Sequence, residues 1–235
     1  MIPTMRSTRG LAIPASFFLL LSSTGPAWPQ VKENLDLPFD ALGEDEEEED
    51  APEVVSFYST NLEGDGFFYV VDRSGSMVDS GELQRAKQEL NKNISEFSNR
   101  VEFGIIFFAT ATVKFPSSGL PAQATEAMKQ AAKSFVNSQE RDHGSCCMTG
   151  MMEGLRLANR SKARRKVLVY LGDGGGTCGG TGEAQYLEKA LSTITGQNHQ
   201  RIRINTIGVV DVSSIGDNFL RRLASANGGS YTRIR

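Results

Sequence analysis

The stretch Gly66-Phe67-Phe68-Tyr69-Val70-Val71-Asp72-Arg73-Ser74-Gly75-Ser76-Met77 decides how the rest of the chain is read. Its consecutive large apolar residues lack any polar alternation, as expected of a strand buried on both faces, and such strands belong to parallel sheets covered by helices. The run ends abruptly in Asp-x-Ser-x-Ser. In an open doubly wound sheet the carboxyl ends of the strands are where ligands bind, so Asp72, Ser74 and Ser76 bring one carboxylate and two hydroxyls to that edge in a Gly-containing turn. Hard oxygen donors of this kind suit Mg²⁺ in preference to Zn²⁺. The same residues also fit a helix N-cap, where Asp and Ser are favoured for backbone hydrogen bonding alone.

Working outward, apolar strand candidates at 101–109, 112–116, 166–173, 204–210 and 229–235 alternate with amphipathic segments at about 81–97, 122–136, 149–158, 182–194 and 217–226. In the first of these segments Leu83, Ala86, Leu90, Ile94 and Phe97 recur at three and four, which makes one apolar helical face. The alternation predicts an α/β domain with a doubly wound, mostly parallel, six-stranded sheet. Segment 112–116 follows its predecessor too closely for a parallel crossover and is therefore expected to be one antiparallel edge strand. Pro116 agrees with an edge position.

Two further loops join the Asp-x-Ser-x-Ser element. The strand candidate KVLVYLGD ends on Asp173, and Thr149, followed by Gly-Met-Met-Glu-Gly-Leu155, opens the helix before that strand. On these residues the chain resembles the von Willebrand factor A domain with its metal-ion-dependent adhesion site, over about residues 64–235. Asp72, Ser74 and Ser76 match the first loop of that family, Thr149 the second and Asp173 the third. The closing stretch TIGVVDVSSIGDNFLRRLASANGGSYTRI matches its last strand, helix and strand. The resemblance implies a Rossmann-like fold over 54–235 and Mg²⁺ or Mn²⁺ as cofactor. It further implies direct contact from Ser74, Ser76 and Thr149, with Asp72 and Asp173 holding the ion directly or through water. An open coordination position would take an acidic residue of a protein or peptide partner, so the implied function is non-catalytic, cation-dependent binding.

Two departures stand out. Met148 replaces the Gly usual beside the second-loop Thr, and the sequence ends at Arg235 where the family commonly continues into a helix packed on the sheet. An integrin-like helix shift is therefore not expected. Residues 31–60, with the apolar Phe39, Val54, Val55, Phe57 and Tyr58, are expected to cover that face.

Composition and charge frame these readings. The chain has 235 residues, 39% hydrophobic and 23% charged, which excludes collagen, disorder throughout and a multi-span membrane protein. Residues 1–27 carry Arg6 and Arg9 ahead of an apolar stretch from Leu11 to about Leu21, the layout of a secretory signal peptide. Localisation is thus expected to be periplasmic, extracellular or at the cell surface, with no stable membrane anchor after cleavage. Residues 28–53 read as an acidic, disordered linker, because seven consecutive acids run from Glu44 to Asp50. The sixteen residue steps from Asp50 to Gly66, if extended at roughly 3.3 Å each, would span about 50 Å and let a linker carboxylate reach the cation in cis. The domain itself carries too small a basic excess for a nucleic-acid binder. The cluster Arg160, Lys162, Arg164, Arg165 and Lys166 reads either as a solvated connection or as a patch for an acidic partner, for which the Glu44–Asp50 run is one candidate.

Cys146, Cys147 and Cys178 are the three cysteines, an odd count that leaves at least one thiol over or implies an intermolecular bond. One of the adjacent pair is expected to bridge to Cys178 and tie the second and third site loops together. His143 and His199 fall in no metal spacing, and no dinucleotide, P-loop or nucleophile-elbow motif is present. A metal-dependent hydrolase and a structural module with a vestigial metal site remain as alternatives. The first lacks a general base placed by any motif.

Overall fold

The computed structural model describes residues 51–176, 178–180, 182–209 and 212–234. The signal segment 1–27, Phe39 and the acidic run lie outside the described residues. The elements in chain order are β1 (Glu53–Phe57), β2 (Thr60–Gly64), β3 (Gly66–Asp72), α1 (Gly75–Asp79), α2 (Glu82–Glu96), β4 (Glu102–Phe108), β5 (Thr112–Phe115) and β6 (Ala122–Gln123). They continue as α3 (Glu126–Asn137), α4 (Cys147–Asn159), β7 (Lys166–Gly172), α5 (Glu183–Gln197), β8 (Arg203–Gly208), α6 (Ser214–Ala226) and β9 (Tyr231–Arg233).

The main sheet runs β5-β4-β3-β7-β8-β9, with β6 also paired to β4. Strands β4, β3, β7, β8 and β9 are mutually parallel, whereas β5 and β6 run antiparallel to β4. The expected parallel sheet and its antiparallel edge are thus both present, but the described sheet has seven strands and not six. The extra strand falls where a helix from 122 is expected. Thr125 takes the N-cap of α3, its side chain accepting from the Met128 N–H, so the helix starts at Glu126 and leaves Ala122 and Gln123 extended against Phe103 and Glu102.

Alternation along the buried strands divides the core into two layers. On one face Phe67, Tyr69 and Val71 of β3 and Val167, Val169 and Leu171 of β7 meet Leu83, Ala86, Leu90 and Ile94 of α2. On the other, Phe68, Val70, Leu168 and Tyr170 meet Met151 and Leu155 of α4, Leu187 of α5 and Leu220 of α6. Helix α4 lies very close to the sheet. A Cβ at Gly150 would stand 2.7 Å from the Phe108 ring and one at Gly154 2.6 Å from Val70.

Strands β1 and β2 form an antiparallel hairpin that the sequence reading did not foresee as such. Its buried Val55, Phe57, Tyr58 and Leu62 join the α2-side layer, and Thr60 Oγ1 lies 3.1 Å from Thr232 Oγ1 on β9. Val55, Phe57 and Tyr58 therefore do cover this face of the sheet, while Val54, on the outward side of the pleat, is 57% exposed. The hairpin also takes up most of the slack assumed for a linker reaching the cation in cis. Folding of residues 53–64 holds Asp50 within three residues of Glu53, and Glu53 pairs with Gly64 at the amino edge of the sheet, remote from Asp72.

Candidate functional site

The chain changes direction across the sheet between β3 and its two neighbours, moving first to β4 on one side and later to β7 on the other. The carboxyl ends of β3 and β7 therefore flank the crevice where a doubly wound sheet offers a site. Asp72 ends β3, and Asp173 follows directly on β7.

Local hydrogen bonding joins four of the five expected residues. Asp72 Oδ1 accepts from the Ser74 N–H at 2.7 Å, the Ser74 and Ser76 hydroxyls are 3.2 Å apart, and Ser76 donates to Asp173 Oδ2 at 2.6 Å. Asp173 Oδ1 accepts in turn from the Gly175 N–H at 2.8 Å. Ser74 does occupy the N-cap position of α1, yet its side chain makes no capping bond. The helix-cap alternative therefore fails to account for the hydroxyl, which is directed along the Ser76–Asp173 line.

Thr149 is placed differently. It stands in the first turn of α4, exposed, with its N–H bonded to Cys146 O at 3.0 Å. Its side chain has no hydrogen bond to another described residue. The helix begins at Cys147, not at Thr149, and its start is anchored to the same edge by the Cys146 N–H, which donates to Ala109 O just beyond β4.

Asp72 is fully buried, and its carboxyl is pushed up to about 7, first by burial and then by the neighbouring Asp173 carboxylate. Hydrogen bonds from Ser74 and Ser145 oppose this rise. Among the described residues no lysine or arginine forms an ion pair with either carboxylate. A buried carboxylate beside a second carboxylate, with two hydroxyls in the same chain of contacts and no resident counter-charge, is chemically suited to a hard divalent cation.

Sequence reasoning missed Ser145. Its buried hydroxyl lies 3.0 Å from both Asp72 Oδ2 and Gly175 O, and so links the first and third loops. No motif spacing marks it, because its partner is 73 positions away. Beneath the site, the Tyr170 hydroxyl is buried without a hydrogen-bond partner among the described residues. At the rim Arg73 pairs with Asp142 at 3.1 Å, and Arg141 pairs with Asp79 at 2.9 Å while its guanidinium packs over Gly75.

The expected disulfide forms from Cys146 to Cys178, which leaves Cys147 as a buried free thiol. Burial pushes that thiol up to about 12. Cys146 closes the loop that contains Ser145, and Cys178 lies five residues past Asp173, so the bridge joins the second and third loops.

No protein-family profile matches the sequence. Human inter-alpha-trypsin inhibitor heavy chain H4 is 29% identical over 175 residues, which cover 71% of this chain and 18% of the human protein. The chain thus spans under a fifth of the length of that relative. Among solved structures, the von Willebrand factor type A protein from Catenulispora acidiphila superposes with a TM-score of 0.63 at 19% identity, covering 75% of this chain and 40% of that one. The von Willebrand factor domain of the type V pili tip protein from Porphyromonas gingivalis gives 0.54 at 10% identity, covering 71% and 88%. The strand order, the two helical layers and these likenesses agree: the chain is similar in sequence to the inter-alpha-trypsin inhibitor heavy chains over the matched stretch and carries the fold of the von Willebrand factor A domain.

Proposed function

We propose that this domain is a non-catalytic binding module that takes up Mg²⁺ or Mn²⁺ at the carboxyl edge of the sheet and recognises an acidic residue of a protein or peptide partner there. The observation that carries the reading is the chain of contacts from Asp72 through Ser74 and Ser76 to Asp173, two carboxylates and two hydroxyls with no cationic side chain bonded to either acid. Bound there, the cation would supply a Lewis-acidic centre with room for one exogenous carboxylate oxygen.

The residues of the chain have separate tasks. Asp72 and Asp173 supply negative charge, Ser74 and Ser76 supply neutral oxygens, and Ser145 holds Asp72 in register with the third loop. Thr149 would complete the donor set from the start of α4. Because three of the five donors would be neutral hydroxyls, much of the positive charge of the cation would stay available to an incoming anion. The fold likeness to a pili tip protein supports an adhesive role, and the export signal read in residues 1–27 would put the domain outside the cytoplasm. Among the described residues no helix is long and apolar enough to cross a membrane.

Calorimetric titration of the full chain with Mg²⁺ and with Mn²⁺ tests the reading. Saturable binding that is lost in Ser74→Ala and Asp173→Ala supports it, as does chelator-sensitive capture of an acidic peptide. Equal heats in the variants, or no heat with either ion, would refute it.

A further inference from the structure

The amino edge of the sheet carries a second concentration of charge that the candidate site does not use. Arg164, Arg165, Lys166, Arg201 and Arg203 line a cavity of about 300 Å³ where β7 and β8 begin, with Pro52 on its wall. An adjoining cavity of about 200 Å³ adds Arg100 and is bordered by Ala51. Part of this charge is committed locally. Arg165 makes paired bonds of 2.9 Å to the two oxygens of Asp65, and Lys166 donates to Gln200 Oε1 at 2.7 Å. Arg201 and Arg203 reach into solvent. Arg201 also holds a left-handed backbone conformation (φ 51°), uncommon for a long side chain, between its Asn198 contact and β8. Of the three acids lining the two cavities, Asp65 is taken by Arg165, Glu53 accepts from the Ser98 N–H, and Glu63 stands exposed on the wall of the first, against six arginines and lysines. The cations therefore outnumber the local acids available to them.

Covalent continuity brings the complementary charge to this rim. Ala51 and Pro52 border the two cavities, and the six residues before them are Asp45-Glu46-Glu47-Glu48-Glu49-Asp50. We propose that the basic rim at the amino edge of the sheet is the docking surface for the chain's own acidic run, residues 45–50. Six extended residues reach about 20 Å, enough to cross the rim from Arg100 to Arg203. A ligand joined through so short a linker acts at an effective concentration in the millimolar range, so weak ion pairs that a free peptide would not hold become occupied. The contact should be salt-sensitive, because exposed pairs are screened over about 10 Å at 0.1 M. Docked there, the acids would neutralise the amino edge and stay clear of Asp72 and Asp173. The proposal does not depend on cation binding at the opposite edge.

Zero-length carbodiimide coupling of the full chain in the presence of EDTA tests it, with peptide mapping to locate the links. At about 20 mM NaCl, residues 45–50 should couple within one chain to Lys166 or Lys162, with the yield falling at least about fivefold at about 500 mM NaCl. The triple variant Arg164→Ser, Arg201→Ser, Arg203→Ser should lose most of the low-salt yield. As a second measurement, a labelled hexaglutamate peptide should bind at least about tenfold more tightly once the six acids are replaced by Asn and Gln, since the tethered competitor is then gone. Links that form only between two chains, links indifferent to salt and to the triple variant, or equal peptide binding by both forms would each overturn the proposal.

Discussion

Breaking the Cys146–Cys178 bridge should unsettle the domain without unfolding it. The two cysteines are 32 positions apart, and closing a loop of that size in the unfolded chain corresponds to about 3.7 kcal/mol at 25 °C on the chain-entropy account. That is a large fraction of the stability of an ordinary domain, yet the two core layers are built almost wholly from residues of the strands and helices. Urea unfolding of the oxidised protein, the reduced protein and the Cys146→Ser, Cys178→Ser double variant provides the assay. The last two should agree with each other and lie about 3 to 4 kcal/mol below the first. Cys147 should stay unreactive throughout the native baseline, since burial raises its thiol to about 12. Alkylation should therefore label no cysteine in the native oxidised protein and one after denaturation. A difference under about 1 kcal/mol between oxidised and reduced forms would refute the reasoning, as would labelling of Cys147 in the folded state.

Three further outcomes follow from the geometry. Asp72 has its carboxyl raised to about 7, so the folded, cation-free domain holds that proton more tightly than the unfolded chain. Its stability should fall by a few kcal/mol as pH rises from about 4 to about 7, and saturating Mg²⁺ should flatten the slope; urea midpoints that rise across this window without metal would contradict the assignment. Replacing exposed Ser59, held at φ 59°, by Gly should stabilise the hairpin by about 1 kcal/mol in thermal or urea unfolding, because a left-handed L-residue is strained by roughly that much. Gly154→Ala should cost about 1 to 3 kcal/mol, measured the same way, since its new methyl would fall 2.6 Å from Val70.

What the sequence made legible divides along physical lines. Strands β3, β4 and β7 were visible because burial on both faces leaves unbroken apolar runs, and the antiparallel run of β5 followed from its short link to β4. Asp72, Ser74, Ser76 and Asp173 were visible because each lies at or just past the end of such a run. The β1–β2 hairpin was not. Its turn is Tyr58-Ser59, both at positive φ, where a sequence reader looks for Asn-Gly. Tyr58 tolerates that conformation because its ring is buried, its hydroxyl donates to Glu82 at 3.3 Å and its N–H donates to Glu89 at 3.2 Å. These contacts come from α2 and have no signature in the turn itself. The choice between Cys146 and Cys147 was likewise open, since neighbours in sequence differ only in direction once α4 starts; Cys146 faces the third loop, and Cys147 faces the core beneath it. Thr149 stays where the resemblance put it, with no contact in the structure that assigns it a role.

The ties around the carboxyl edge bear on how a ligand would be recognised there. The first loop is fixed by the Arg73 N–H, which donates to Phe108 O at 2.9 Å, and by the Asp142 N–H, which donates to Arg73 O at 3.1 Å. The second is fixed by the disulfide and by Ser145, and the third by Gly174, whose left-handed backbone packs directly against Gly216 at the start of α6. None of these restraints involves a cation. Little chain entropy would then be lost when the donors engage one, and the affinity for a partner would be set by what lies outside the donor shell. Beside the first loop that is Arg141, paired with Asp79 over Gly75. Substitution of Arg141 should therefore alter peptide binding while leaving metal affinity nearly unchanged, which separates recognition from coordination in one experiment.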